Sequence, residues 1–280
     1  MTNHFEKYFI NAPKKMRMNG TLPMISSNEN PQMGFFFESA WHREPCVIEA
    51  EENAYAFDML YVFVGQDFEN QNELCGELSF TIAGHEYVTD KTCMILVPKN
   101  TPHGPIRVNR VDQPFFTYCG GASKERVPES RDRWVMPEGE FRFEKYVLHG
   151  NGEDNNEAEQ EVLRLHGSDN KIIGDFGGVF YGKFRWFRVT TPKDFIFAAE
   201  SHSHGQPELL NFYSTDPDDP YNLGATISME MMGERYEFDQ TTTVFAPANQ
   251  PHCPLKIMSV ERPFMFFTLM PDCKVYSLDK

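Results

Sequence analysis

The chain has 280 residues, 40% of them hydrophobic and 14% aromatic, and a formal net charge of −15. That length can bury one large core or two smaller ones, while an acidic chain with no gathered basic stripe would repel polyanions, which excludes nucleic acid and anionic lipid surfaces as expected partners. No apolar run reaches the roughly 18 residues of a membrane span, and "MTNHFEKYFINAPKKMRMNG" lacks the apolar block of a signal peptide, so a soluble, cytoplasmic protein acting on a small molecule is expected.

Along the chain, the first clear pattern is the Phe-rich run "GFFFES" from Gly34, expected to fill a β core rather than to stack on a substrate. The segment "LCGELSFTIAGHEYVTDKTCMILVPKNTPHGPIRVNRVDQPFFTY" from Leu74 follows, with short runs of Val, Ile, Phe, Tyr and Thr separated by Gly, Pro and Asn. Those runs read as strands, and "AGHEY" reads as a hairpin turn around Gly84. From Gly120 to Asn170 the chain turns heavily polar and reads as an interdomain connection with a strand or two of its own. Its best helical candidate, "NNEAEQEVLRLHG" from Asn155, has only Leu163 and Leu165 to form an apolar face.

Next comes "AAESHSHGQPELLNFY" from Ala198, which places His202, His204 and Glu208 close together. If His202 and His204 lie on a strand they project from the same face. After an acidic insertion containing "DPDDP", expected to be a solvated turn, the segment from Leu223 repeats the one from Leu74 at an offset of 149. Gly84 matches Gly233, Tyr87 matches Tyr236, Asn100 matches Asn249, and the late His103 matches His252. The chain is therefore expected to be all-β, with two duplicated antiparallel domains in the form of barrels or jelly rolls. His252 would then close a site with His202, His204 and Glu208. Three imidazoles and a carboxylate suit Fe, Mn, Co, Ni, Cu or Zn, with positions left open for water or substrate. An offset of 150 before the late motif sets Glu52, Ala54 and Asp58 against the first three ligands, so the first copy, left with His103, is expected to hold no metal. Tyr213, Lys183, Arg185 and Arg188 are candidates for the mouth of the pocket, and Cys253 is expected to face away from it.

H-x-H-x3-E at His202, His204 and Glu208, followed by P-x-N-x-x-H at Pro247, Asn249 and His252, resembles the two motifs of the cupin family. The chain as a whole resembles a bicupin, with Asn249 where the second motif usually carries Gly. The resemblance implies two tandem cupin-type jelly-roll β-barrels with little helix: 1–120 with a degenerate metal motif, a connection over 121–170, and 171–280 with the metal site. It also implies a metal-dependent enzyme acting on an oxygen-rich small molecule, phenolic or polyhydroxy acid. Among the family's reactions a dioxygenase-type oxidoreductase is placed first, ahead of isomerase, decarboxylase or lyase, because Phe and Met residues should line the pocket. Glu208 is the candidate catalytic residue, carrying a proton when it leaves the metal. The competing class is a non-catalytic, metal-containing protein that binds a small ligand. A homodimer through exposed strand edges is expected. The six scattered cysteines, Cys46, Cys75, Cys93, Cys119, Cys253 and Cys273, are expected to be free thiols.

Overall fold

A computed structural model of the chain describes residues 6–12, 21–26, 36–121, 123–124, 126–150, 156–165 and 180–271. Among them there is no α-helix, only short 3-10 turns. The strands are β1 (Phe9–Asn11), β2 (Thr21–Ser26), β3 (Phe36–His42), β4 (Cys46–Glu49), β5 (Met59–Val64), β6 (Glu73–Ile82), β7 (His85–Lys91), β8 (Cys93–Val97), β9 (His103–Val111), β10 (Phe115–Gly121) and β11 (Val147–His149). They continue with β12 (Glu159–Leu165), β13 (Phe180–Phe187), β14 (Phe195–Ala198), β15 (Glu208–Ser214), β16 (Asn222–Met231), β17 (Glu234–Gln240), β18 (Thr242–Ala246), β19 (His252–Val260) and β20 (Phe264–Pro271).

Two compact units result, each with its own core. In the first, a sheet ordered β11-β8-β5-β10-β3-β2 faces one ordered β4-β9-β6-β7; in the second, β1-β18-β15-β20-β13-β12 faces β14-β19-β16-β17. Strip the two outer strands from each large sheet and the orders match, with seven of the eight strand pairs starting 149 residues apart and only β3 and β13 offset differently, by 145 in their register against β10 and β20, so the repeat in the sequence is a repeat of architecture. Each unit is an antiparallel jelly-roll sandwich whose sheets do not close into a barrel. The packing follows from composition: "MLYVFV" of β5 and "ELLNFYS" of β15 are buried at every position. The Phe-rich runs are core as expected, with Phe37, Phe264 and Phe267 fully buried. The hairpins β6–β7 and β16–β17 turn on Ala83–Gly84 (φ 49° and 76°) and Met232–Gly233 (φ 53° and 82°). Left-handed φ at both central residues matches the right-handed twist of the flanking strands and favours Gly at the second of them.

One expectation needs correction. The boundaries at 120 and 170 differ from the strand pairing: β11, expected in the connection, completes a sheet of the first unit on β8, and β12 completes one of the second on β13. β1, near the start of the chain, pairs with β18 and so belongs with the second unit. Hydrogen bonds across a sheet edge are not restricted to neighbours in sequence, and composition alone does not show them. The helical candidate is β12, an edge strand with Val162 fully buried. Two leucines make too small an apolar face to hold a helix, whereas pairing with β13 satisfies the backbone. The five described cysteines are free, and Cys273 lies outside the described residues.

Candidate metal centre

Glu208 is the first residue of β15 and His252 the first of β19. His202 and His204 sit in the preceding connection, which is tied to the β18–β19 turn. His202 and His252 exchange both backbone hydrogen bonds at 3.0 Å, and Asn249 N–H donates to the His204 carbonyl at 2.8 Å. Asn249 adopts φ 61°, the left-handed turn conformation that Asn tolerates in place of Gly. The four side chains converge, with one ligand atom of each within 4.8 Å of the others, a grouping that can hold a metal ion. His204, Glu208 and His252 are buried, and His202 is half-buried on the side of the adjoining cavity.

The ring orientations are fixed from behind. Nδ1–H of His202 donates to the Glu200 carbonyl (3.1 Å), that of His204 to Gln206 (2.6 Å) and that of His252 to Gln250 (3.1 Å). A carbonyl only accepts, so each Nδ1 carries the proton, and a neutral ring then presents the bare lone pair of Nε2. Two of those Nε2 atoms lie 3.1 Å (His204) and 3.0 Å (His252) from Oε2 of Glu208. Lone pairs facing a buried carboxylate repel unless a positive charge lies among them, supplied by protons on the rings or by a metal cation. Burial alone would raise the Glu208 carboxyl, but His204 and His252, acting on it as hydrogen-bond donors and positive charges, outweigh burial and hold it at about 2, so it is ionised at neutral pH; with the rings neutral, a metal cation would have to supply that positive charge. Burial also lowers the His202 imidazole below its ordinary value, which keeps that ring neutral. Neutral imidazoles held through Nδ1 with an ionised carboxylate among their Nε2 atoms fit a divalent transition metal.

The first unit shows what replaces this arrangement. The Asn53–His103 bridge stands where His202–His252 stands, Asn100 N–H donates to the Tyr55 carbonyl (2.6 Å) as Asn249 does to His204, and Met59 opposite Val97 matches Glu208 opposite Ala246. The counterparts of the three early ligands are thus Asn53, Tyr55 and Met59. Glu52, Ala54 and Asp58, the residues expected there, are one step out of register, and a slip of one residue sends a side chain to the other face. Asp58 instead accepts from the Lys99 N–H at 2.7 Å.

His103 keeps the rear anchor, donating from Nδ1 to Thr101 (3.0 Å), but its Nε2 faces the Tyr61 hydroxyl at 2.8 Å. That hydroxyl also lies 2.6 Å from Glu49 and accepts from Arg126 at 3.0 Å, and Arg126 is ion-paired with Glu49. The Arg126 guanidinium lies 5.0 Å from the Tyr55 ring centroid. A side-chain cation thus stands beside a buried carboxylate. Sequence reasoning missed this network, since Glu49, Tyr61 and Arg126 form no motif.

A cavity of about 170 Å³ opens beside His202 and Glu208. Phe197, Leu210, Leu255 and Phe266 form its walls, and Lys183, Arg185 and Thr268 bring polar groups to it. Lys183 and Arg185 therefore reach the site as expected. Tyr213 does not: it alternates with Leu210 and Phe212 onto the opposite face of β15, with its hydroxyl 3.2 Å from that of Thr243. Arg188 lies past the end of β13 and donates to the Asn156 carbonyl at 3.4 Å. Cys253, expected to face away, lines the cavity. Its φ of 69° and the register shift between Met229 and Met231 mark a bulge, which breaks strict alternation and lets both His252 and Cys253 face inward. Burial pushes its thiol up to about 12, with the Glu208 charge adding to the shift. "DPDDP" is a turn held by Asp216, whose Oδ1 accepts from the N–H groups of Asp218 (2.8 Å) and Asp219 (3.2 Å).

No family model matches the sequence, and no curated protein matches it in sequence. Solved structures do. AerE from Microcystis aeruginosa is 11% identical with a TM-score of 0.54, over 95% of this chain and 99% of that one. An oxalate decarboxylase of Bacillus subtilis is 10% identical with a TM-score of 0.61, over 97% and 78%. A vicilin from Corylus avellana is 9% identical with a TM-score of 0.59, over 98% and 87%. At such identities the likeness is one of fold, two tandem cupin-type jelly rolls.

Proposed function

We propose that this double cupin fold is a metal-dependent enzyme acting on an oxygen-rich small molecule, with the metal held in the second unit by His202, His204, Glu208 and His252. The observation that carries the reading is the inward set of Nε2 atoms around an ionised Glu208, each ring anchored through Nδ1 to a backbone carbonyl. A divalent transition metal with open positions polarises a carbonyl or carboxylate oxygen bound to it. The chain's own residues supply the rest. Phe197, Leu210, Leu255 and Phe266 give the cavity apolar walls, which lower the local dielectric and strengthen charge interactions beside them. Glu208 is the one carboxylate lining the cavity among the described residues; it would be one of the residues that hold the metal and is the candidate to hold or pass on a proton at its carboxylate.

Two reactions compete. Decarboxylation without net oxidation is supported by the fold shared with oxalate decarboxylases, one of which is described as having Mn(II) centres. A dioxygenase reaction has the apolar walls in its favour and gains no support from the comparisons. Protein purified without oxygen and loaded with manganese or iron would be screened against phenols and hydroxy or keto acids, following oxygen uptake and carbon dioxide release together. Release without uptake supports the decarboxylase, and consumption of oxygen supports the dioxygenase. Bound metal with no turnover of any compound moves the protein to the non-catalytic, ligand-binding class, and failure to hold metal removes the enzyme reading. A homodimer belongs to the same proposal, and sedimentation would test it.

A further inference from the structure

We propose that the cavity takes its ligand as a compact carboxylate, seated on Arg185 and Lys183 with the rest of the molecule reaching toward His202 and Glu208. The proposal rests on the metal-centred reading of the site and specifies what that site recognises. Strand β13 alternates: Phe184 packs outward against Phe267, their centroids 4.4 Å apart, while Lys183 and Arg185, two residues apart, both turn into the cavity. In register across the sheet they stand opposite Thr268 and Phe266, which also line it.

Arg185 is unusual for a charged residue. It is 9% exposed, and its Nε is buried without a hydrogen-bond partner. Its Nη1 lies 3.1 Å from Oε2 of Glu159 on β12, and its guanidinium carbon lies 4.8 Å from the Phe197 ring centroid. Glu159 from one side and Phe197 from the other fix the plane of the guanidinium, which is a positioning role for both. A guanidinium is a rigid planar fork of donors that matches a carboxylate, and placing it in advance lowers the ordering cost of binding.

Charge points the same way. Lys183 and Arg185 contribute two positive charges, and Glu159 and Glu208 two negative, so the group sums to zero without a metal. A divalent ion on Glu208 and the three histidines would bring it to +2, and a positive cleft with apolar walls attracts an anion. The four apolar wall residues give that anion a hydrocarbon or ring body. The cavity of about 170 Å³ is close to the roughly 150 Å³ void that accommodates benzene, so one six-membered ring with its substituents fits the space beside the carboxylate seat.

Calorimetric titration with benzoate, butanoate and benzamide, on manganese-loaded and metal-free protein, tests the proposal, because benzamide matches benzoate in shape and lacks its charge. Both carboxylates should bind the loaded protein, with benzamide weaker by about tenfold or more. Arg185→Gln should abolish that preference while leaving metal content, read by elemental analysis, unchanged. Lys183→Met, at a half-exposed position where folding is under less strain, should reduce the preference in the same direction. Equal binding of benzoate and benzamide overturns the proposal, as does failure of both carboxylates to bind or an Arg185→Gln protein that keeps the preference. A protein that holds no metal yet binds benzoate over benzamide through Arg185 would overturn the metal-centred reading and leave the carboxylate seat standing.

Discussion

Nε2 of His252 lies 3.0 Å from Oε2 of Glu208, while Nδ1 of the same ring donates to the Gln250 carbonyl at 3.1 Å. When that ring is neutral its only proton is committed to the rear, so two acceptors face each other in a buried space, and a cation between them relieves the repulsion. A divalent transition metal at about 100 times its Kd should therefore stabilise the fold by about 2.7 kcal/mol. Thermal unfolding with metal and with chelator measures the gain. His252→Ala should remove it, and a gain equal to that of the parent would place the metal elsewhere.

Among the described residues only the second unit carries the grouping proposed to hold the metal, because Asn53, Tyr55 and Met59 stand at the matching places in the first. Elemental analysis of protein saturated with manganese should give about one equivalent per chain, set by the single four-residue grouping found among the described residues. His204→Ala should bring it close to zero. About two equivalents, or one that survives this substitution, would contradict the asymmetry between the units.

His42 and His103 make the first unit sensitive to acid. Burial lowers both to about 4, against an ordinary value of 6.5. Each is held neutral by its surroundings, His42 beside Thr117 Oγ1 (2.8 Å) and Cys46 Sγ (3.2 Å). Below pH 6.5 the unfolded chain binds a proton at each ring and the folded chain does not, so stability falls as pH drops toward 4. Between pH 7 and pH 5 each histidine should account for a loss of about 2 kcal/mol. Urea denaturation at the two pH values measures it, and His42→Asn should remove roughly its share. A stability that does not change over this range would refute the assignment.

Arg126 should be costly to remove and cheaper to replace together with its partner. Arg126→Ala strands the buried Glu49 carboxylate, which is 7% exposed, and should destabilise the first unit by about 3–5 kcal/mol. Glu49→Leu combined with Arg126→Met removes both charges and should cost less than Arg126→Ala alone. Denaturant midpoints of the three proteins decide it, and a double variant less stable than the single one would show that the pair is not the source of the effect.

The repeat, the β character, the Gly84 and Gly233 hairpins and the grouping of His202, His204, Glu208 and His252 were all legible in the sequence, because each rests on spacing along the chain. Period-two alternation, a turn that needs left-handed φ and a 149-residue self-match are local or linear signals. Tertiary structure decided what depends on register and on partners distant in sequence. Backbone bridging to His103 shows that the 149-residue offset runs on without a gap through the early ligands, so their counterparts in the first unit are Asn53, Tyr55 and Met59 and not the residues one step away that an offset of 150 gives. Cys253 turns inward because a bulge interrupts the pleat. Arg126 beside Glu49, and Glu159 behind Arg185, are pairings of residues far apart in sequence that carry no motif, and only the closing of the sheets brings their charges together.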